Sequence, residues 1–561
     1  MGGHHLPLTP VYTGEQIRAA EKPLLDAGQG PVLMRRAAYG LAQHIARLLC
    51  GRGYGARVTG LIGSGNNGGD GLYALAFLAR RGVVVRAVLV RDRAHPEALQ
   101  AFRTAGGRVI SSVPSETEVL IDAVLGTGFR GEFTRPEIPG LAQLLDDDAL
   151  LSRAGALTSE TGSESSETRL SRTQCRVCGA VSETIERCPR RGQSLEERKR
   201  CSANTAARRC VVVACDLPSG VNADTGAAGD GTIPADHTVT FGGLKQGLIT
   251  GRGGHLSGRL HTVDIGLGKH LPQVPVQLIT HTPGTDPVPS SPPQPTDHKY
   301  SRGVVHILAG SEQYPGAARL TVGAAVRTGV GMVILQAPET VRSQVLAAHP
   351  EVIGVSAHYS AEAVSRASCV VVGPGIGEEP ARLQEAEAVL EQCLETGTAC
   401  VLDASGLGLI RDQLRRSGGL NKNVLITPHL GEARQIAKTL RDRVLAGMLE
   451  SDWPKTDPVE AARRIAGRLD CTVLLKGATT VIASPQGEVI LHRAAAPGLA
   501  TAGTGDVLSG ILGALASTQQ EDWLAVAAWG VSMHTAAAQH IDPQHRGRFG
   551  AAQLIEEIPH V

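Results

Sequence analysis

The sequence predicts two α/β domains, each a largely parallel sheet in three layers. Three observations carry this. Runs such as 83–90, 119–125 and 210–216 are almost continuously apolar and rich in β-branched residues, the pattern of strands covered on both faces. Helical patterns lie between such runs. Nearly every run in the C-terminal half leads into a Gly, Asp or Thr-Pro cluster, where an open parallel sheet has its ligand crevice.

A chain of 561 residues suits two large domains of this kind. Hydrophobic residues make up 42% and charged residues 19%, which excludes a disordered or fibrous chain. Aromatics at 3% argue against base-stacking platforms and the aromatic girdles of a membrane barrel. A net charge of +1 gives no overall bias toward nucleic acid or membrane. No stretch is long and apolar enough to span a bilayer, and Met1-Gly2-Gly3-His4-His5 lacks the pattern of a signal peptide, so a cytoplasmic location is expected. The 11 cysteines are odd in number, which argues against a disulfide framework. Cys50, Cys369, Cys393, Cys400 and Cys471 sit among apolar neighbours and are expected in the core.

In chain order, Thr13-Gly14-Glu15-Gln16 has the form of a capping box opening a helix to about Leu25. A second helix is expected over 33–49 and a strand over 58–62. The loop GSGNNGGD follows, then a helix over 71–81 and the strands 83–90, 119–125 and 210–216. Residues 151–209, rich in Ser, Thr, Glu and Arg with 12 basic residues against seven acidic, form an expected mobile insertion. Within it Cys175, Cys178, Cys188 and Cys201 leave a zinc site open, although a single CxxC pair is weaker than the two of a structural ribbon. The proline density between 272 and 295 predicts an extended linker, dividing the chain into 1–280, a linker over 281–297, and 298–561. Strands are then expected at 304–308, 369–372, 400–402, 424–426 and 473–475.

The loop from Gly63 to Gly71 satisfies GxGxxG between a strand and a helix, and Asp92 follows the next strand, the form of a dinucleotide fingerprint. Asp70, however, stands where the helix N-terminus should hold a phosphate. The amides of Asn66 and Asn67 suit a polar ring or a weakly held cation. Asp122 and Asp216 end neighbouring strands, each open to a reading as a helix cap. In the second half, ATAGTGDVLSG places glycines before an apolar helix, so its first N–H groups can cradle an anion. Asp506 stands where it could take a hydroxyl proton while a phosphoryl group is transferred. Its alternative is a capping carboxylate. Lys476 could reach a phosphate or be a solvated surface lysine, and His429 alone is more often structural.

Together GSGNNGGDGL, IDAVLGTGFRGE and DLPSGVNADTG resemble the epimerase domain that repairs hydrated NAD(P)H, over about 10–270 without the insertion. The resemblance implies a Rossmann-like domain in which Asn66, Asn67, Gly68, Gly69 and Asp70, with Gly126, Thr127, Gly128, Phe129, Arg130, Gly131 and Glu132, contact the nucleotide hydrate. Asn67, Asp122 and Ser219 would hold a potassium ion, and Asp216 would be the acid/base at the damaged ring. The second half, about 298–555, is similar to the ribokinase-like ADP-dependent NAD(P)H-hydrate dehydratase through GSEQYPGAA, GPGIG, DASGL, TPHLGE, KGATT and the GTGD run. There Ala317, Gly375 and His429 would line the hydrate site. Lys476, Gly477, Ala478, Thr479, Thr480 and Gly505 would bind the nucleotide, with Asp506 on the substrate. ADP is the implied co-substrate and Mg2+ its metal. Small-molecule hydrates of NADH and NADPH are the expected partners, with no nucleic acid or membrane, and the protein is expected to be a homo-oligomer. Two rivals stand beside this: a kinase of a hydroxymethylpyrimidine or sugar, and a nucleotide-sensing or RNA-associated protein using the basic insertion.

Overall fold

The computed structural model describes residues 7–49, 53–91, 93–129, 131–145, 173–174, 181–182, 210–279, 293–356, 361–450, 457–494, 496–518 and 522–560. The chain divides into two compact units, Tyr12–Pro272 and Met1–Val11 with Gln273–Val561.

The first unit is a seven-stranded sheet, parallel throughout. Its spatial order is Arg259–Val263, His237–Phe241, Val211–Cys215, Val119–Ala123, Arg57–Ile62, Val84–Leu89 and Arg108–Ile110. The strand order reverses between Arg57–Ile62 and Val119–Ala123, so the loops after these two strands diverge to opposite sides and open a crevice. All five residues of Val119–Ala123 are buried, as its apolar run requires. Helix Gly14–Asp26 starts with the expected capping box, Thr13 Oγ1 accepting from Gln16 N at 3.1 Å and Gln16 Oε1 from Thr13 N at 2.9 Å. Helix Gly30–Leu48 buries Leu41 and Ile45 completely, each worth about 1.5–3 kcal/mol.

The second unit has an α/β sheet in which seven consecutive strands, reaching one edge, are parallel. From Thr472–Leu475 the order runs through Val424–Ile426, Ala399–Leu402, Cys369–Val372, Val304–Leu308 and Met332–Gln336 to Ile353–Val355. On the other side Thr479–Ala483 and Val489–Arg493 continue it antiparallel, then Val276–Ile279 pairs parallel to Val489–Leu491 and antiparallel to Leu8–Pro10. Helix Thr504–Thr518 buries Val507, Ile511, Leu512 and Leu515 in a core shared with Val305 and Val371. Both units are therefore largely parallel α/β structures, as the apolar runs required.

Three boundaries differ from expectation. The helix after the first glycine loop begins at Asn66, not 71, because the turn through Asn66-Asn67-Gly68-Gly69 is already helical despite its poor helix formers, with Gly69 N donating to Gly65 O at 3.1 Å. Proline density does not prevent a strand at Val276–Ile279; the carbonyl of Pro275 accepts from Val489 N at 2.8 Å, a bond that needs no proline N–H. Strand Leu8–Tyr12 was not foreseen. Of the expected linker, 280–292 lies outside the described residues, as does the insertion with its four cysteines except for the antiparallel pair Thr173–Gln174 and Val181–Ser182. Asp92 and Cys50 also lie outside them, whereas Cys369, Cys393, Cys400 and Cys471 are buried as expected.

Candidate functional site

In the first unit the crevice at the strand-order reversal is a cavity of ≈1190 Å3. Its wall includes Asn66, Asn67, Asp70, Gly126, Thr127, Gly128, Phe129, Glu132 and Asp216, nine of the residues singled out from sequence. Gly68 and Gly69 lie behind the wall, and Arg130 is outside the described residues. The role of Gly68 is steric: a Cβ there would stand 2.0 Å from the Gly63 carbonyl oxygen, and one on Gly63 would stand 2.0 Å from that of Val124. These close approaches let the first turn of the helix lie directly over the strand ends. Asn67 then donates from Nδ2 to Leu125 O at 2.8 Å, tying the two glycine loops together.

Asp216 occupies left-handed backbone space at φ 68, uncommon for a residue with a Cβ. Its Oδ1 accepts from Lys245 Nζ at 2.6 Å, Thr240 Oγ1 at 3.1 Å and Phe241 N at 3.2 Å. Its Oδ2 accepts from Thr127 Oγ1 at 3.3 Å. Lys245 is 1% exposed and also donates to Thr240 Oγ1 and Phe241 O, both at 2.9 Å, so all three ammonium protons are used. Burial, then the charges of Asp216 and Glu21, push the Asp70 carboxyl well above its usual range. Burial and Asp216 likewise raise Glu21, and both Glu21 and Lys245 face the cavity. The cavity thus holds one carboxylate on a buried ammonium and two carboxyls driven toward their neutral forms.

Asp122 is fully buried beside this cavity. It accepts from Ser219 Oγ at 2.5 Å, Ser219 N at 2.7 Å and Val124 N at 3.3 Å, and Ser219 Oγ accepts from Leu125 N at 3.0 Å. Burial outweighs these donors and lifts its carboxyl to about 6. Asp122 and Ser219 meet directly, and Asn67 joins them through Leu125.

In the second unit Asp403, at the end of strand Ala399–Leu402, is the hub. Its Oδ1 accepts from Lys476 Nζ at 2.8 Å and its Oδ2 from Ser509 Oγ at 2.7 Å. Burial alone would raise its carboxyl, but Lys476 and Ser509 hold it below the ordinary value. The partnered Lys476 is correspondingly raised, Asp403 overcoming the effect of burial. Gly505 lies close, a Cβ there standing 3.6 Å from Lys476 Nζ. Asp506, in the first turn of helix Thr504–Thr518, has its carboxyl raised to about 6 by burial and Asp403, with Lys476 opposing.

Ala317 and Gly375 are in contact, a Cβ on Gly375 standing 2.5 Å from that of Ala317. His429 caps helix Leu430–Thr439, its Nδ1 accepting from Gly431 N at 2.9 Å and Glu432 N at 3.2 Å, and its backbone bridges to Lys476. Gly477 and Ala478 form the turn after Lys476, and Thr479 and Thr480 begin the next strand, paired with Arg493 and His492.

The sequence reading missed Lys245, Glu21, Asp403 and Ser509 as site residues. Lys245 had a signal, the lone charge in the stretch from Thr238 to Ile249. Asp403 had the same signal as Asp216, a carboxylate ending an apolar strand. Glu21 had none, being one of several charges on an amphipathic helix.

The fold and these two carboxylate centres define a two-domain α/β enzyme. Residues 305–560 match the family model described as NAD(P)H-hydrate dehydratase, and residues 30–152 and 190–247 that described as YjeF-related protein N-terminus. A bifunctional NAD(P)H-hydrate repair enzyme of Mycobacterium tuberculosis is 37% identical over 508 residues, covering 90% of this chain and 88% of that protein. One from Escherichia coli is 29% identical over 544 residues, covering 95% and 86%. Among solved structures, an ADP/ATP-dependent NAD(P)H-hydrate dehydratase of Bacillus subtilis, co-crystallised with ATP/Mg2+, is similar at 25% identity and a TM-score of 0.39, covering 48% of this chain and 92% of that one. A ribokinase-like superfamily protein of Enterococcus faecalis is similar at 22% identity and a TM-score of 0.41, covering 48% and 89%. The chain belongs to the family of bifunctional NAD(P)H-hydrate repair enzymes.

Proposed function

We propose that the first unit interconverts the R and S epimers of hydrated NADH and NADPH, and that the second dehydrates the S hydrate at the expense of ADP. The observation that best supports this is the pairing in one cavity of Asp216, held by Lys245, with Asp70, whose carboxyl is driven toward the neutral form. One group is poised to accept a proton and the other to donate one, so epimerisation at a hydroxyl-bearing ring carbon needs no redox cofactor. In this mechanism Asp70 protonates the ring hydroxyl, which leaves as water. Water returns to either face of the planar ring cation, and Asp216 takes its proton. Asn66, Asn67, Glu132 and the loop from Gly126 to Gly131 hold the nucleotide.

Asn67, Asp122 and Ser219 fit a potassium ion. Asp122 is a wholly buried carboxyl whose hydrogen-bond partners, Ser219 and Val124, are neutral, and hard oxygens are the ligands such an ion takes. When bound, the ion supplies positive charge at the root of the Gly126 loop.

In the second unit Gly505 and the residues from Lys476 to Thr480 bind ADP, and Ala317, Gly375 and His429 line the hydrate. Asp506 accepts the proton of the ring hydroxyl as it attacks the β-phosphorus of ADP, releasing AMP. Phosphate then departs with loss of a ring proton, restoring the dihydropyridine. The hard oxygen of Asp506 suits Mg2+, which would be held chiefly by the nucleotide phosphates and neutralise their charge. A cytoplasmic, homo-oligomeric enzyme acting on small molecules completes the reading.

The test is incubation of the purified chain with both hydrate epimers, ADP and Mg2+, following recovery of dihydronicotinamide absorbance. Failure to recover NAD(P)H while another small alcohol is stably phosphorylated would establish the kinase instead. Asp216→Ala should slow epimerisation about 10²–10⁴-fold while dehydration of the pure S hydrate continues. An unchanged rate of R-to-S conversion by chromatography removes Asp216 from the reaction.

A further inference from the structure

Away from both sites, three histidines from separate elements of the first unit converge. His44 lies near the end of helix Gly30–Leu48, His237 opens strand His237–Phe241, and His261 is central in the adjacent strand Arg259–Val263. His44 Nε2 is 3.3 Å from His237 Nδ1, which is 3.2 Å from His261 Nε2, and the three rings offer nitrogens all within 4.8 Å of one another. We propose that His44, His237 and His261 form a three-imidazole site for a divalent transition metal of the zinc class.

The spacing supports this. Zinc–imidazole bonds of about 2.0–2.1 Å in a tetrahedron put neighbouring nitrogens about 3.3 Å apart, which two of the pairs already satisfy. A chain of three imidazoles is also a poor hydrogen-bond network, because His237 Nδ1 faces two ring nitrogens and has either one proton or one lone pair to offer. Imidazole nitrogen is a ligand that zinc, nickel and copper share, and the order of their affinities favours copper, with zinc selected by availability.

Two features oppose binding and shape it. The ring centroids of His44 and His261 lie 3.9 Å apart with the planes tilted by 40°, so the rings must part to share an ion. The charges of Arg47 and Arg259 act on the cluster, which favours an anion such as hydroxide as fourth ligand. The site is separate from the chemistry. His237 and Phe241 are the two ends of one strand, about 13 Å apart at 3.3 Å per residue, and Phe241 N holds Asp216 at the far end. The metal would clamp the helix Gly30–Leu48, whose beginning lines the cavity, to the strand that supports Asp216.

The test uses the full chain, stripped of metal and titrated with Co2+, with Cys175→Ser/Cys178→Ser included to separate cysteine sites. One Co2+ per chain is expected, with the intense d–d bands of a tetrahedral site, no thiolate charge-transfer band, and no loss in the cysteine variant. His44→Gln and His261→Gln should each weaken binding about 100-fold or more, above the 10–100-fold that outer-shell changes cost. Their R-to-S conversion without metal reports that they are folded. Independently of any variant, the Cu2+ spectrum of the unaltered chain by electron paramagnetic resonance should show hyperfine coupling to several nitrogens. The proposal is overturned if no Co2+ binds, if binding survives both histidine changes, or if it disappears with the cysteines alone.

Discussion

Asp506→Asn should inactivate the second unit and at the same time stabilise it. The structure buries this carboxyl next to the ionised Asp403, lifting it from 3.8 to about 6. A group whose folded value is raised favours the native state only while protonated. The unfolded chain releases that proton near 3.8, so above that pH the native state bears a penalty that is fully developed by about pH 6. The shift corresponds to about 3 kcal/mol at 1.36 kcal/mol per unit, reduced toward about 1–3 kcal/mol by partial exposure. An amide of the same shape has no charge to desolvate. Urea unfolding of wild type and variant should therefore diverge as pH rises from 4 to 7, the variant becoming the more stable. Dehydration of S hydrate should fall about 10²–10⁴-fold and epimerisation should persist. A variant no more stable than wild type at pH 7, or a gap that does not grow with pH, would refute the electrostatic account. Near-normal turnover would refute the catalytic one.

Other changes probe the remaining geometry. Lys245→Met strips a buried carboxylate of its ammonium, so the first unit should lose about 3–5 kcal/mol by chemical denaturation and epimerisation should fail, while the second unit keeps its activity. Gly63→Ala places a Cβ against the Val124 carbonyl and should cost about 1–3 kcal/mol or more, read as a lower Tm of the first unit. Ser219→Ala removes the hydroxyl shared by Asp122 and Leu125, and should raise the K+ concentration needed for half-maximal epimerisation.

Much of the fold was legible because its strands are buried on both faces and so nearly uniform in composition. Strands Val304–Leu308, Cys369–Val372 and Val424–Ile426 fall where their apolar runs begin and end. Strands that depend on a distant partner were not legible. Leu8–Tyr12 and Val276–Ile279 are short and flanked by or contain proline, and their pairing with each other and with Val489–Leu491 is written in no local pattern. The site followed the same division. Carboxylates at strand ends and glycine loops announce themselves locally, whereas the partners that set their chemistry arrive from 29 residues away for Lys245 on Asp216 and 106 for Ser509 on Asp403.

The pairing of Leu8–Pro10 with Gln277–Ile279 also gives the chain an unusual itinerary. The second unit begins at the N-terminus, is interrupted by the whole of 12–272, and resumes. Joined end to end in activity, the two catalytic units are nested in covalent order. During synthesis at about 5–20 residues per second, the first strand waits roughly 13–54 s before its partner strand is made, while the intervening unit can complete its own sheet. No single cut separates the two intact. Cleavage near 280 leaves the second unit without two strands and gives the first a foreign β-segment at each end. Excising 12–272 and rejoining 11 to 273 is the division that keeps Leu8–Pro10 and its partner Gln277–Ile279 in one polypeptide.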